Sequence, residues 1–221
     1  MQPGFRGGTW EHAPMGPTPW QGALAGRNRS LIFSSMRRFW GICFAAAMGL
    51  ALVSGAVWAR QDDPRLNTLF ERLRTTKSEP EADEVQSEIW RIWLSGGNAK
   101  IDTRMVGGVR AMNRGQFQAA LSAFNAVIAI APDFAEGWNK RATVLYMMDR
   151  YDESAEAVNR TLALEPRHFG ALSGLGLILT EKGDEKRALN AFEQALKVNP
   201  HMAEIRERAR VLRDKIKGKP I

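Results

Sequence analysis

Apolar residues along most of this chain recur three or four positions apart, the spacing that puts them on one face of an α-helix. Phe117, Ala120, Leu121, Phe124, Val127 and Ile128 make one such face. Leu66, Leu69, Phe70 and Leu73 make an earlier one, and Ile89, Trp90 and Trp93 another, with Ser78-Glu79-Pro80 between them as a break. Towards the end of the chain, Ile205, Ala209, Leu212 and Ile216 form a narrow stripe on an otherwise charged segment. No alternating strand pattern is visible, so the predicted fold class is all-α.

The punctuation between these faces is periodic. Pro132, Pro166 and Pro200 stand 34 residues apart, and so do the turn-formers Gly115, Asp149 and Gly183. Small residues recur with the same step at Gly108, Ala142 and Gly176, and at Ala120, Ser154 and Ala188. Large apolar residues follow it at Phe124, Val158 and Phe192, and at Ile128, Leu162 and Leu196. A fixed period of this length is the signature of stacked helix–turn–helix units. Each part has a physical reason. Gly115 is expected to adopt the positive φ that a tight helix–helix turn needs. A proline lacks the amide that would continue a helix, so Pro132 marks an end. The small residues are predicted where two helices cross too closely for a larger side chain.

These residues resemble the tetratricopeptide repeat (TPR) family, whose pattern runs W-x2-L-G-x2-Y, then A-x3-F, then P. The third unit matches through Leu175-Gly176, Ala188, Phe192, Ala195 and Pro200, with Leu172 replacing the aromatic. The second supplies Trp138 but carries Arg141-Ala142 for Leu-Gly, and the first has Arg104 where the tryptophan would stand. The resemblance extends over residues 101–202 and to a group of short exported bacterial TPR proteins. It implies a TPR solenoid of three helix-turn-helix repeats, at 101–134, 135–168 and 169–202, with helical caps at both ends. The caps are an N-terminal helical hairpin at 60–100, read as covering the first repeat, and a C-terminal capping helix at 203–221.

The front of the chain reads differently. Residues 39–59 contain no charge and follow Arg37-Arg38, and the stretch ends on Val57-Trp58-Ala59. A basic start, an apolar middle and a small-residue end are the layout of a secretory signal peptide, here 36–59. The competing reading is a retained membrane anchor, since the uncharged run is long enough to span a bilayer core. Residues 1–35, rich in Gly, Pro and Trp, are expected to be disordered or a misassigned extension before a start at Met36. A periplasmic or secreted location follows, or an inner-membrane anchored one facing the periplasm if the segment is kept. Membrane contact is expected only in that second case.

Charge changes the picture less than its total suggests. The whole chain carries +7. Five basic residues and one acid lie before residue 60, which leaves 26 basic and 23 acidic residues beyond it. A near-balanced repeat region gives no footprint for nucleic acid. The single cysteine, Cys43, excludes an internal disulfide or a cysteine-based metal site. His168 and His201 each follow a helix-ending proline and read as solvated loop residues, not ligands. There is no phosphate loop after a strand and no nucleophile paired with a base, so no catalytic residue, cofactor or metal is expected.

The resemblance places a partner-binding groove along the first helix of each repeat. That groove would show Met105, Val109, Met112 and Asn113 from the first repeat, with Asp102 and Val106 beside them. Asn139, Lys140, Thr143, Tyr146 and Met147 come from the second, with Glu136, and Ser173, Leu177, Thr180 and Glu181 from the third. Spacings of three and four put each set on one helical face. For Met105, Val109 and Leu177 the alternative is packing against a neighbouring helix. Lys140 has no second basic partner to clamp a carboxylate. The expected partner is therefore a protein or peptide segment with apolar anchors, held by an adaptor or assembly factor. The alternative is a membrane-anchored structural component that self-associates through its repeat ends.

Overall fold

The computed structural model describes residues 60–218; the readings for 1–35 and 36–59 lie outside the described residues. Within it, a short 3₁₀ turn (Arg60–Asp62) leads into nine α-helices, and no strand occurs among the described residues. They are α1 (Arg65–Thr75), α2 (Glu79–Leu94), α3 (Ala99–Asn113), α4 (Phe117–Ile130), α5 (Ala135–Met147), α6 (Tyr151–Leu164), α7 (Phe169–Glu181), α8 (Glu185–Val198) and α9 (Ala203–Ile216). The starts of α4, α6 and α8 are 34 residues apart, and so are those of α5, α7 and α9. The C-terminal capping helix α9 therefore occupies the place of a first helix in a fourth unit.

Local chemistry explains the boundaries. Gly115, Asp149 and Gly183 close the three intra-repeat turns with φ of 71°, 57° and 75°. That backbone is easy for glycine and strained for Asp149. Helices α4, α6 and α8 end two residues before Pro132, Pro166 and Pro200. The Glu165 and Asn199 side chains then accept the N–H groups of Arg167 and His201, a side-chain substitute for the missing helical bonds.

Each repeat closes around one crossing point. A Cβ on Gly108 would lie 2.6 Å from the Phe124 ring, and one on Gly176 2.3 Å from the Phe192 ring. In the second repeat the same two positions hold Ala142 and Val158, a slightly larger residue facing a smaller one. Ser154 is fully buried there and donates to the Ala142 carbonyl at 2.8 Å. On the other side of the array Ile205, Ala209 and Leu212 of α9 are buried, as the stripe predicts, while Ile216 stays exposed. Four basic residues of α9 are engaged by acids, while Arg206 donates to the Pro200 carbonyl. Arg208 pairs with Glu204, Arg210 with Glu207, Arg213 with Glu193 and Lys215 with Glu185, the last two tying α9 to α8.

The N-terminal hairpin buries the apolar stripes read from the sequence, but its main packing is not on the first repeat. Leu66, Leu69, Phe70, Leu73, Val85, Ile89, Ile92 and Trp93 form a core of their own, joined by Phe169, Val198 and Met202 from the later repeats. The reason lies in the register. Gln61 donates to the Asp133 carbonyl, Asn67 accepts from Arg167 at 2.8 Å, and the Leu73 carbonyl accepts from His201 at 3.1 Å. Those partners are one repeat apart and the hairpin residues are six apart. Six helical residues advance about 9 Å, which matches the spacing of packed helices. The segment from the 3₁₀ turn through α1 thus lies across the inter-repeat loops and meets one loop for every six residues.

Candidate functional site

The hairpin divides the first-helix face of the repeats into a covered half and an open half. In the covered half, Glu136 is fully buried near the start of α5, close to His168 in the loop before α7. The Glu136 Oε2 accepts from Asn139 Nδ2 and from the His168 ring, each at 2.9 Å, and Lys140 Nζ lies 3.1 Å from Oε1. His168 Nδ1 accepts the Ala171 N–H that opens α7, so the ring proton sits on Nε2 and points at the carboxylate. Burial by itself pushes the Glu136 carboxyl up. The Lys140 charge and the His168 hydrogen bond more than offset that and hold it down at about 2.

Aromatic rings close this polar cluster. Trp93 stacks on His168 with centroids 4.1 Å apart and planes 8° from parallel. Trp90 meets the His168 ring edge-on at 5.6 Å and Phe169 at 5.3 Å, and Lys140 Nζ lies 5.6 Å from the Trp90 ring centre. At Gly170 a Cβ would come within 2.7 Å of the Trp90 ring. Arg167 packs over Phe70 at 4.4 Å, and the buried Asn199 donates to Gln86.

Several residues expected in the groove are thereby accounted for internally. Asn139 and Lys140, each 7 % exposed, belong to the covered cluster, and Ser173 is buried with its hydroxyl on the Gly170 carbonyl. Met105 and Met112 are buried in the core shared by the first two repeats, with Val109 packed at its edge, and Leu177 lies at the edge of the third repeat's core. Asp102 accepts the Gly96 N–H at 2.7 Å and fixes the link between α2 and α3. The open half holds Val106, 49 % exposed, and Asn113, with half-buried Thr143, Tyr146 and Met147, and exposed Thr180 and Glu181. Tyr146 donates to Glu181 at 3.4 Å, which joins the ends of α5 and α7. Burial, then the Glu181 charge, raise the Tyr146 hydroxyl pKa. The hydroxyls of Thr143 and Thr180 bond the backbone one turn back, so this surface is more apolar than its sequence suggests.

His168 corrects the reading of a solvated loop residue: it is completely buried. Its register carried the signal, because Phe134 and Met202 stand one repeat to either side of it. His201 is half-buried and bonded to the hairpin.

A family model described as Tetratricopeptide repeat matches residues 107–160 and 139–200. A TPR repeat-containing protein of Rhizobium etli is 35 % identical over 154 residues, which is 70 % of this chain and 76 % of that protein. The chain belongs to the tetratricopeptide-repeat family. The Sgt2 TPR domain from Aspergillus fumigatus aligns with a TM-score of 0.52 at 21 % identity, over 56 % of this TPR chain and 87 % of that one. The first TPR of Spaghetti (RPAP3), solved bound to the HSP90 peptide SRMEEVD, aligns with a TM-score of 0.52 at 16 % identity, over 53 % and 94 %. Both alignments place this TPR chain in the same all-α fold, and no enzyme family is matched by the family model.

Proposed function

We propose that this TPR chain is an exported scaffold that holds a protein or peptide segment on the open half of its first-helix face. The observation that supports this is the run of Val106, Val109, Tyr146, Met147 and Leu177, apolar side chains left at least partly accessible across three successive repeats. Methionine and tyrosine adapt to varied apolar partners. The ligand this surface suits is an extended or helical segment with apolar anchors. An acidic tail is disfavoured, because Lys140, the basic residue available to clamp it, is paired with Glu136 beneath the hairpin. An adaptor or assembly role fits a surface that offers such contacts. The uncharged run at 39–59 supports export to the periplasm or beyond.

The test is capture of bound proteins from the source cells with the tagged chain and with a Tyr146→Ala, Met147→Ala variant of unchanged circular dichroism. A protein held by the wild type and lost by the variant supports the reading. Identical captured sets contradict it.

A further inference from the structure

We infer that the α1–α2 hairpin is a displaceable internal occupant of the binding face, which an external partner must lift to reach Asn139, Lys140 and Ser173. The inference deepens the proposed function and rests on it for the identity of the face. Three observations carry it. First, the hairpin's apolar core is largely its own, joined by Phe169, Val198 and Met202, and the rest of its contact is with inter-repeat loop residues: Gln61 with Asp133, Asn67 with Arg167, Gln86 with Asn199, the Leu73 carbonyl with His201, and Trp93 stacked on His168. Such a mixed, loop-directed interface is the kind that opens as a unit, in contrast to the continuous packing within each repeat. Second, it covers polar residues, Glu136, Asn139, Lys140 and His168, which a permanent helix–helix core would not need. Third, the buried indole N–H of Trp93 has no hydrogen-bond acceptor among the described residues. Closing the hairpin strands a donor that water satisfies when it is open.

The chain supplies a pivot. In the linker between α2 and α3 the Gly96 N–H is tied to Asp102, so the turning point lies on the α2 side of that anchor, at Ser95. What the covered half accepts is visible in its occupant: a helix presenting two aromatic side chains three residues apart, Trp93 stacked on the His168 ring and Trp90 at right angles to the Phe169 ring.

Amide hydrogen exchange on the intact chain tests this without a ligand. The expected result is that α1 and α2 exchange together, roughly tenfold or more faster than α5 to α8. Gly170→Ala pushes on Trp90 while improving helix propensity in α7. It should speed α1 and α2 by a further factor of about ten and leave α4 to α6 unchanged. Exchange of the hairpin and repeats as one unit in the wild type overturns the inference, as does uniform acceleration by Gly170→Ala. A labelled synthetic peptide of residues 79–95 gives a second measurement. It should bind a Trp90→Ala, Trp93→Ala chain at least about tenfold more tightly than the wild type, whose face is already filled. Equal affinity for the two overturns the inference. None of these outcomes depends on the capture experiment, so a failed latch and a failed groove are separable.

Discussion

The crossing of α7 and α8 offers a quantitative test of how the repeats are held. At Gly176 an added Cβ would lie 2.3 Å and 2.4 Å from two carbons of the Phe192 ring, more than 1 Å inside ordinary contact. Phe192 is almost completely buried and has little room to move. Overpacking of this kind costs roughly 1–3 kcal/mol, and a rigid ring at this overlap belongs at the upper end. Replacing glycine by alanine inside a helix returns about 1 kcal/mol. Gly176→Ala should therefore destabilise the protein by about 2 kcal/mol. Phe192→Val alone should cost about 2–3 kcal/mol through the cavity it leaves. Together the two recreate the Ala142 and Val158 combination that the second repeat already uses. The new methyl then fills space vacated by the ring. The double variant should be more stable than the sum of the single losses by about 2 kcal/mol. Urea unfolding of the four proteins, followed by circular dichroism, measures this coupling. Additivity within about 0.5 kcal/mol would refute the argument that the small residues exist to admit the ring.

Other predictions follow from the polar cluster and the turns. Glu136 has a folded pKa of about 2 against an ordinary 4.5, so its contribution is fully present above pH 4.5 and is lost as the pH falls towards 2. That contribution is about 3 kcal/mol, and Glu136→Gln should flatten the dependence of melting temperature on pH across this window, whereas parallel curves would contradict it. Lys140→Met leaves the buried carboxylate without its cation and should cost about 3 kcal/mol or more at neutral pH in thermal unfolding. At Asp149, the positive-φ turn residue, substitution by glycine should stabilise by about 0.5–1 kcal/mol. The same change removes the acceptor that holds the Tyr151 hydroxyl, now pushed up to about 12 chiefly by its hydrogen bond to Asp149, so ultraviolet titration should show it falling towards 10.

Periodicity made the repeats legible, because prolines, turn residues and small residues are imposed by backbone geometry that recurs unchanged in each unit. The stripe on α9 was readable for the same reason. The position of the hairpin was not. Leu66, Leu69, Phe70 and Leu73 announce that one face is buried but do not say against what, and the six-residue match to the repeat spacing emerges only when α1 and the loops are seen together. The groove residues suffered from this directly. Asn139, Lys140 and Ser173 lie on the expected face, yet the chain itself covers them. Met105 and Met112 share that helical face by spacing but turn into the core against the second helix. Glu136 and His168 were missed as a pair because they are 32 residues apart, at opposite ends of the second repeat.

A partner is proposed to sit on the open half of the first-helix face. A photo-crosslinking residue placed at Tyr146 reads this contact out, with the same residue at Glu156, exposed on α6, as the comparison. On irradiation in the source cells, a discrete crosslinked partner is expected from position 146 and none from position 156. Crosslinks of equal yield from both positions, or from 156 alone, would contradict it.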